Sequence, residues 1–435
     1  MMPKPGDKVS VETEREKYEG TLLPSSEFEK DIIILKLENG YNIGISKTRI
    51  KNISLQEHRA TEKKEKGKIT QKKGLPKISI LHTGGTIASR VDYETGGVIP
   101  RFSPEDLLGM FPELKDTANI SSRLIRSMFS EDMRFAHYNL LAKEIEKEIR
   151  SGAEGVIVTH GTDTLHYTSA ALAFILEGLS APVILVGAQR SSDRGSTDAA
   201  ANLISAAKFI AGSDFGEVAI CMHENESDDS CLILPAMKTR KMHSTRRDAF
   251  RPINTTAIAR VDYQSGKISF FRKGYALKRK SNISLKPIKD SVKVGLLKIH
   301  TNMLSEEFRA YSGWDGLVVE GFGMAGNIPI NEIDNETKEH SKVADAIKSL
   351  VKNGTVVVAT SQTIYGRINM NVYSTGRKMQ ELGILGNLAD MTAETAFIKL
   401  AWLLSNYPKE KAKELVTKNL RGEISERIED RTFLA

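Results

Sequence analysis

The chain has 435 residues, 40% of them hydrophobic and 27% charged, and carries a formal net charge of +7. At about 100–200 residues per domain, that length and composition are typical of a globular protein of about two to four domains. The only cysteines, Cys221 and Cys231, exclude a disulfide framework and a cysteine-rich zinc site. Because no apolar run reaches about 18 residues and the first residues lack the apolar core of a signal peptide, we expect a cytoplasmic protein.

Residues 1–58 have the short alternating pattern of β-strands. Val9 and Val11 alternate with polar residues, and a second such run surrounds Leu35. An Asn-Gly pair at residues 39–40, between two apolar runs, is a hairpin signal. With four or five short strands and no helical period, this segment predicts a small N-terminal β-barrel.

The composition and the hydrophobic pattern of the sequence change twice after the predicted barrel. Residues 59–76 are rich in lysine and glutamate and nearly devoid of apolar side chains, which predicts a charged, solvated linker. From residue 77 onward, buried-type strand runs alternate with helical patterns, which predicts an α/β body with a mainly parallel sheet. We predict a larger α/β domain over residues 77–280, which carries the catalytic residues, and a smaller C-terminal α/β domain over residues 290–435.

The first polar motif follows the first buried strand of this body, in the run Ile-Leu-His-Thr-Gly-Gly-Thr-Ile-Ala at residues 80–88. Gly84 and Gly85 permit positive φ and a close approach of the backbone, and the hydroxyl of Thr86 follows them. Because parallel sheets place their sites just beyond the carboxyl ends of the strands, Thr86 is a candidate ligand-facing residue. Taken alone, a Gly-Gly-Thr segment is more simply explained by turn geometry.

The second motif, His-Gly-Thr-Asp-Thr at residues 160–164, lies at a strand–helix junction. It places the hydroxyl of Thr162 beside the carboxylate of Asp163, and free amides at a helix start suit an anionic ligand. Taken alone, this pair is most simply an N-cap followed by an acid of the first turn. The chain lacks the Gly-x-Gly-x-x-Gly and P-loop signatures, which argues against dinucleotide or P-loop nucleotide binding.

Together, the two motifs closely resemble the two signatures of the bacterial-type L-asparaginase/glutaminase family. The resemblance implies that Thr86 is the nucleophile that attacks a side-chain amide and that Thr162 is the second catalytic hydroxyl. It implies that Asp163 binds the α-amino group of the substrate and helps to orient a lysine. Lys241 matches the lysine of the family best, by its spacing and flanking residues, and Lys238 is the competing candidate.

The resemblance also implies a set of substrate contacts. In the segment at residues 129–133, Ser130 and Glu131 match the residues that hold the α-carboxylate and α-amine, although many family members carry Gln in place of Glu131. Tyr93 matches the aromatic residue of a mobile lid. The backbone amide of Gly85 would help to stabilise the tetrahedral oxyanion.

An amide is a poor electrophile and a neutral threonine hydroxyl is a poor nucleophile, so the reaction needs a base and oxyanion donors. A free lysine is protonated at neutral pH, and a carboxylate beside it favours that charged form. We therefore predict a hydrogen-bonded Thr162–Lys241–Asp163 relay, with an acyl-enzyme formed on Thr86. No metal is required. The histidines near the motifs lack ligand-like spacing and are expected to be structural: His82, His160 and His166.

Two features exceed what a stand-alone asparaginase needs. One is the predicted barrel. The other is a basic run at residues 238–280, which contains thirteen lysines and arginines and two aspartates and so has a net charge of +11. This run is either a solvated basic face or an electrostatic surface for RNA or an acidic partner. The barrel and the run Arg-Lys-Met-His at residues 240–243 resemble the D-subunit subfamily (GatD) of the archaeal glutamyl-tRNA(Gln) amidotransferases.

The resemblance to that subfamily implies an assembly. The chain would hydrolyse glutamine, or asparagine, to ammonia, as a homodimer within an α2β2 heterotetramer. A larger partner, the E subunit (GatE), would bind tRNA(Gln), use ATP and Mg²⁺ to activate the tRNA-bound glutamate, and accept the ammonia. The present chain would itself need no cofactor, and its barrel would contact either the partner or the tRNA.

Two alternative interpretations are open at this point. The chain could be a stand-alone cytoplasmic L-asparaginase/glutaminase of amino-acid catabolism, or a non-catalytic scaffold that kept the fold. The presence of all the expected catalytic side-chain types argues against a scaffold. Glutamine and asparagine differ by one methylene, worth only about 1–3 kcal/mol, so the sequence leaves the preferred substrate open.

Overall fold

The computed structural model describes residues 3–4, 6–23, 31–37, 42–57, 72–84, 89–91, 98–100, 107–108, 110–190, 196–279 and 282–433. Most of the predicted linker lies outside these residues. Within them, no helix combines the length and apolar character needed to cross a membrane.

The N-terminal segment forms a five-stranded antiparallel sheet. Its strands are β1 (Lys8–Thr13), β2 (Lys17–Leu23), β3 (Ile32–Leu37), β4 (Asn42–Ser46) and β5 (Ile50–Glu57), with a 3₁₀ turn at Lys47–Arg49. They are ordered β4-β3-β2-β1-β5, and the predicted alternation places Val9, Val11 and Leu35 in a small buried core. The predicted Asn-Gly turn lies outside the described residues, but the strands on either side of it pair antiparallel.

The body begins with a large mixed sheet. Its strands, together with those of three small two-stranded sheets, are β6 (Lys77–His82), β7 (Ser89–Val91), β8 (Val98–Pro100), β9 (Asn119–Leu124), β10 (Gly155–Thr159), β11 (Leu176–Glu177), β12 (Val183–Val186), β13 (Val218–His223), β14 (Ser230–Pro235), β15 (Thr239–Lys241), β16 (Phe250–Pro252), β17 (Ala259–Asp262), β18 (Ile268–Phe270) and β19 (Ser284–Leu285). The eight-stranded sheet is ordered β18-β17-β14-β13-β12-β10-β6-β9.

The strands from β9 to β13 in this order are parallel, which confirms the predicted architecture. Strands β14, β17 and β18 extend the sheet antiparallel, an edge that the sequence pattern did not predict. The loop from β13 to β14 spans only residues 224–229, too short for the crossover that a parallel neighbour requires.

Helices cover both faces of the large sheet. In chain order, the helices of the whole α/β body within the described residues are α1 (Leu114–Thr117), α2 (Phe135–Arg150), α3 (Leu165–Ile175), α4 (Ala199–Gly212), α5 (Ser305–Arg309), α6 (Lys338–Lys352), α7 (Ser374–Glu381), α8 (Ala393–Asn406) and α9 (Lys409–Leu415), with 3₁₀ turns at Ser130–Asp132, Asn335–Thr337 and Asp430–Thr432. Because alternate strand residues face opposite sides, Val156 and Val158 pack with α2 and α3, whereas Ile157 packs with α4.

A second, smaller parallel sheet is formed by β20 (Val294–Lys298), β21 (Gly316–Gly321) and β22 (Val356–Ser361), in that order. Helix α6 packs on one face, and α8 packs on the other. Helix α8 also contacts α3 of the larger unit, and the rings of Phe174 and Trp402 stack there with centroids 5.1 Å apart. One hydrophobic core therefore joins the two α/β units.

Candidate active site

The carboxyl ends of the neighbouring strands β6 and β10 are tied together by side chains. Thr83 donates its backbone N–H and its hydroxyl to the carbonyl oxygen of Thr159, at 3.1 and 3.0 Å. The Nδ1 atom of His82 lies 2.7 Å from Thr159 Oγ1. Burial lowers the pKa of His82 to about 3, so the ring is neutral. The two motif-bearing loops therefore start side by side, and His82 holds them there.

Gly84 allows the first loop to pass very close to a neighbouring backbone. Its φ is +110°, and a Cβ at this position would lie 2.3 Å from the carbonyl oxygen of Met128. No side chain fits there, and an L-residue would be strained in that conformation.

Replacing Gly84 with alanine is expected to displace the first loop and to lower kcat for amide hydrolysis about 100-fold, because a shift of about 1 Å in a catalytic group has that effect. Ammonia release at saturating glutamine measures kcat. Gly152, which also has positive φ but no heavy atom within 4 Å of an added Cβ, provides the control Gly152→Ala. Equal activity in both variants would show that the close contact at Gly84 does not position the loop.

The segment predicted to hold the α-amino and α-carboxylate groups of the substrate lies against the second motif. The Thr164 hydroxyl donates to the carbonyl oxygen of Ser130 at 2.6 Å. A Cβ on Gly161 would lie 2.8 Å from Ser130 Cβ, so this glycine permits the close packing. Ser130 is buried, whereas Glu131, next to it on the 3₁₀ turn, is exposed.

Thr162, Asp163 and Lys241 meet at the entrance of α3. Lys241 Nζ donates to Thr162 Oγ1 at 2.9 Å and to Asp163 Oδ1 at 2.8 Å. The Lys241 side chain is 11% exposed and the Asp163 side chain is 66% exposed. The side chain of Lys241 is therefore largely buried, while the carboxylate of Asp163 remains accessible to a ligand. A proton can pass between Lys241 and Thr162 along an existing hydrogen bond.

The competing lysine lies elsewhere. Lys238 Nζ forms a buried ion pair with Asp390 and donates to Ser425 Oγ at 2.8 Å. Burial lowers the pKa of Lys238, although the Asp390 carboxylate opposes that shift. Both partners come from the C-terminal unit, so Lys238 joins the two units. Of the two candidate lysines, Lys241 is the one that contacts Thr162 and Asp163.

Three predicted site residues, Gly85, Thr86 and Tyr93, lie outside the residues that the structure describes. Their roles therefore stay predictions. Among the residues described, no cluster of three His, Cys, Asp or Glu side chains is arranged to hold a metal ion. His160 is buried with Nε2 2.8 Å from Thr168 Oγ1, and burial lowers its pKa to about 4.

Sequence reasoning missed a third strand-end loop that reaches the site. The Thr162 hydroxyl lies 3.3 Å from Gln189 Oε1, to which it donates. The backbone amides of Gln189 and Arg190 both donate to the fully buried carboxylate of Asp198, at 3.0 Å. The available signal was position, since the Gly-Ala-Gln-Arg run at residues 187–190 directly follows β12, the parallel neighbour of β10.

A second polar contact holds the strand that carries the lysine. Arg240 Nε lies 3.0 Å from Glu394 Oε1, in the first turn of α8. His166 Nε2 lies 4.0 Å from the same oxygen, and burial lowers the His166 pKa to about 4, so this ring is neutral. Of the consecutive residues Arg240 and Lys241 on β15, the first is thus bound to α8 and the second to the loop that precedes α3, which fixes the backbone from which Lys241 projects.

Replacing Glu394 with glutamine is expected to lower kcat about tenfold with little change in KM, because Arg240 loses its anion and β15 loses its ion pair with α8. Steady-state ammonia release measures both constants. Replacing Glu410, an exposed acid of α9, with glutamine is the matched control. If the Glu394 and Glu410 variants have the same kcat, Glu394 does not position the lysine.

Comparisons with known families agree with the two-unit body and its N-terminal sheet. Residues 77–275 match the family described as Asparaginase, N-terminal, and residues 293–415 match the Glutaminase/Asparaginase C-terminal domain. Residues 3–55 match the GatD N-terminal domain. The thermostable L-asparaginase from Thermococcus kodakarensis is 28% identical, with a TM-score of 0.70, over 81% of this chain and 100% of that chain. The α/β body is therefore of the asparaginase type.

Relatives that match nearly the whole chain identify its family. The glutamyl-tRNA(Gln) amidotransferase D subunit of Pyrococcus furiosus is 43% identical over 99% of this chain and 97% of that protein. The corresponding protein of Methanococcus maripaludis is 42% identical over 97% of this chain and 98% of that protein. The chain belongs to the family of glutamyl-tRNA(Gln) amidotransferase D subunits.

Proposed function

We propose that the chain hydrolyses the side-chain amide of glutamine or asparagine and supplies ammonia to a partner that amidates Glu-tRNA(Gln). The observation that carries this proposal is the position of Lys241 Nζ, within hydrogen-bond distance of both Thr162 Oγ1 and Asp163 Oδ1 at the second family motif. The D-subunit relatives support the link to tRNA. The partner is GatE, which uses ATP and Mg²⁺, and the two proteins form an α2β2 assembly in the cytoplasm.

In the proposed reaction, Thr86 attacks the amide carbonyl carbon while its proton passes into the Thr162–Lys241–Asp163 relay. Backbone amides at Gly85 and Thr162 stabilise the oxyanion of the tetrahedral intermediate. The C–N bond breaks, the leaving nitrogen receives a proton, and ammonia departs from an acyl-enzyme. Water then attacks the ester carbon, which releases the acid product and restores the hydroxyl of Thr86. Ser130, Glu131 and Tyr93 hold the substrate.

Stimulation by the other components separates this proposal from a catabolic asparaginase. Ammonia release from glutamine is measured for the purified chain, alone and with GatE and charged tRNA. We expect weak release by the chain alone and a clear rise when both components are present. Full activity that the additions do not change would instead support a stand-alone amidohydrolase.

Deletion of residues 1–70 is expected to spare the basal hydrolysis, because the N-terminal sheet has its own core and the proposed reaction uses none of its residues. We propose that this sheet contacts the partner or the tRNA, so the stimulation should fall in the same variant. Ammonia release with and without the other components measures both effects. Loss of the basal activity in a folded deletion variant would contradict this division of roles.

A further inference from the structure

The basic run at residues 238–280 is not uniformly available to a partner. The part at residues 238–260 is largely neutralised by carboxylates, all of which except Asp248 come from outside the run. These ion pairs are Lys238–Asp390, Arg240–Glu394, Lys241–Asp163, Arg246–Asp248, Arg247–Asp228, Arg251–Asp248 and Arg260–Glu224. The charge that remains lies mainly toward the end of the run, at residues 267–279.

Three cations of that later part line one cavity of about 530 Å³: Arg272, Lys273 and Arg279. The same cavity is lined by residues at the end of α3, at the start of β13 and at positions 419–422, where Arg421 is already paired with Glu177. Helix α3 has eleven residues, so its two ends lie about 16 Å apart. Because Thr162 and Asp163 lie at the other end of this helix, the cavity is separate from the amidase site.

The cations in this cavity have donors to spare. Arg272 donates one N–H to Thr255 Oγ1 at 3.2 Å. Within the described part of the chain, no acceptor bonds the side chains of Lys273 or Arg279. The one carboxylate of the lining, Glu217, already accepts the backbone N–H of Ala276 at 2.6 Å. The lining therefore has an excess of positive charge and of unused N–H groups.

We propose that this cavity binds a phosphate-bearing nucleotide. A planar guanidinium matches two phosphate oxygens, and a neighbouring ammonium adds charge, so Arg272, Lys273 and Arg279 suit the phosphate. Tyr275, which is half-buried, supplies aromatic surface for a ring. A volume of about 530 Å³ is typical of a small-molecule site, which fits one nucleotide. That nucleotide is either free or part of an RNA chain.

Isothermal titration calorimetry of the full chain with AMP, and separately with a short single-stranded RNA, tests this site. The double variant Lys273→Gln/Arg279→Gln changes two exposed side chains, so it is expected to fold normally. Lys267→Gln is the matched control, because Lys267 is an exposed cation of the same run that does not line the cavity. Arg272→Gln tests the half-buried cation and is paired with a thermal unfolding measurement.

We expect at least one probe to bind, and the Kd to rise about tenfold or more in the double variant while Lys267→Gln leaves it unchanged. AMP binding would identify a free nucleotide as the source, and RNA binding alone would identify an RNA nucleotide. Basal ammonia release should be equal in all these variants. The proposal is overturned if neither probe binds, or if the double variant and the Lys267 control bind equally well.

Discussion

Replacing Lys241 with methionine is expected to lower kcat for glutamine hydrolysis about 10²–10⁴-fold, the usual effect of removing a group that transfers a proton in the transition state. Methionine keeps the apolar stem but removes the hydrogen bonds to Thr162 and Asp163. The fold should tolerate the change, because Asp163 is largely exposed and remains solvated without its partner. Ammonia release at saturating glutamine measures kcat, and a thermal unfolding curve checks the fold.

A second substitution at the same position separates proton transfer from simple charge. Lys241→Arg keeps a cation that can pair with Asp163, but a guanidinium does not give up its proton in proteins. We expect the arginine variant to be nearly as inactive as the methionine variant. Activity within tenfold of the unsubstituted chain would mean that position 241 needs only a positive charge, and the relay would be wrong.

Replacing Lys238 with methionine is expected to have the opposite profile, with a large loss of stability and little loss of activity per folded molecule. Lys238 is 2% exposed and its partner Asp390 is fully buried. Removing one member of a buried ion pair leaves an uncompensated charge, which costs about 3–5 kcal/mol. The free energy of unfolding in denaturant measures the loss, and ammonia release by the folded fraction measures the activity.

Lys267→Met provides the matched control for that experiment, because Lys267 is an exposed lysine of the same basic run. A surface substitution of this kind changes stability by less than about 0.5 kcal/mol. If Lys238→Met is as stable as the control but has lost its activity, the roles assigned to the two lysines are reversed.

These two lysines show what local sequence cannot decide. They lie three residues apart in the same short segment, and spacing and flanking residues alone favoured Lys241. What separates them in the structure is Asp390, 152 residues further along the chain, which pairs with Lys238. The same reason explains the basic run, because most of the carboxylates that pair with its cations, Asp390 and Glu394 among them, are brought near by the tertiary fold.

The fold itself was easier to predict, because its main signals are local. Buried strand runs that alternate with helical patterns identified the α/β body, and the two motifs fell at the ends of adjacent strands β6 and β10. The antiparallel edge of β14, β17 and β18 was missed, since part of it lies within a basic run that lacks a clear strand pattern. Gln189 was missed because a single amide carries no motif.

Formation of glutaminyl-tRNA(Gln) with two alternative nitrogen donors tests most directly whether the Thr162–Lys241–Asp163 site supplies ammonia to a partner. The Lys241→Met chain is assembled with GatE and given charged tRNA, ATP and Mg²⁺, with either glutamine or ammonium chloride. We expect amidation with glutamine to be lost and amidation with ammonium chloride to equal that of the unsubstituted complex. Undiminished amidation with glutamine, or loss with both donors, would contradict the assigned role.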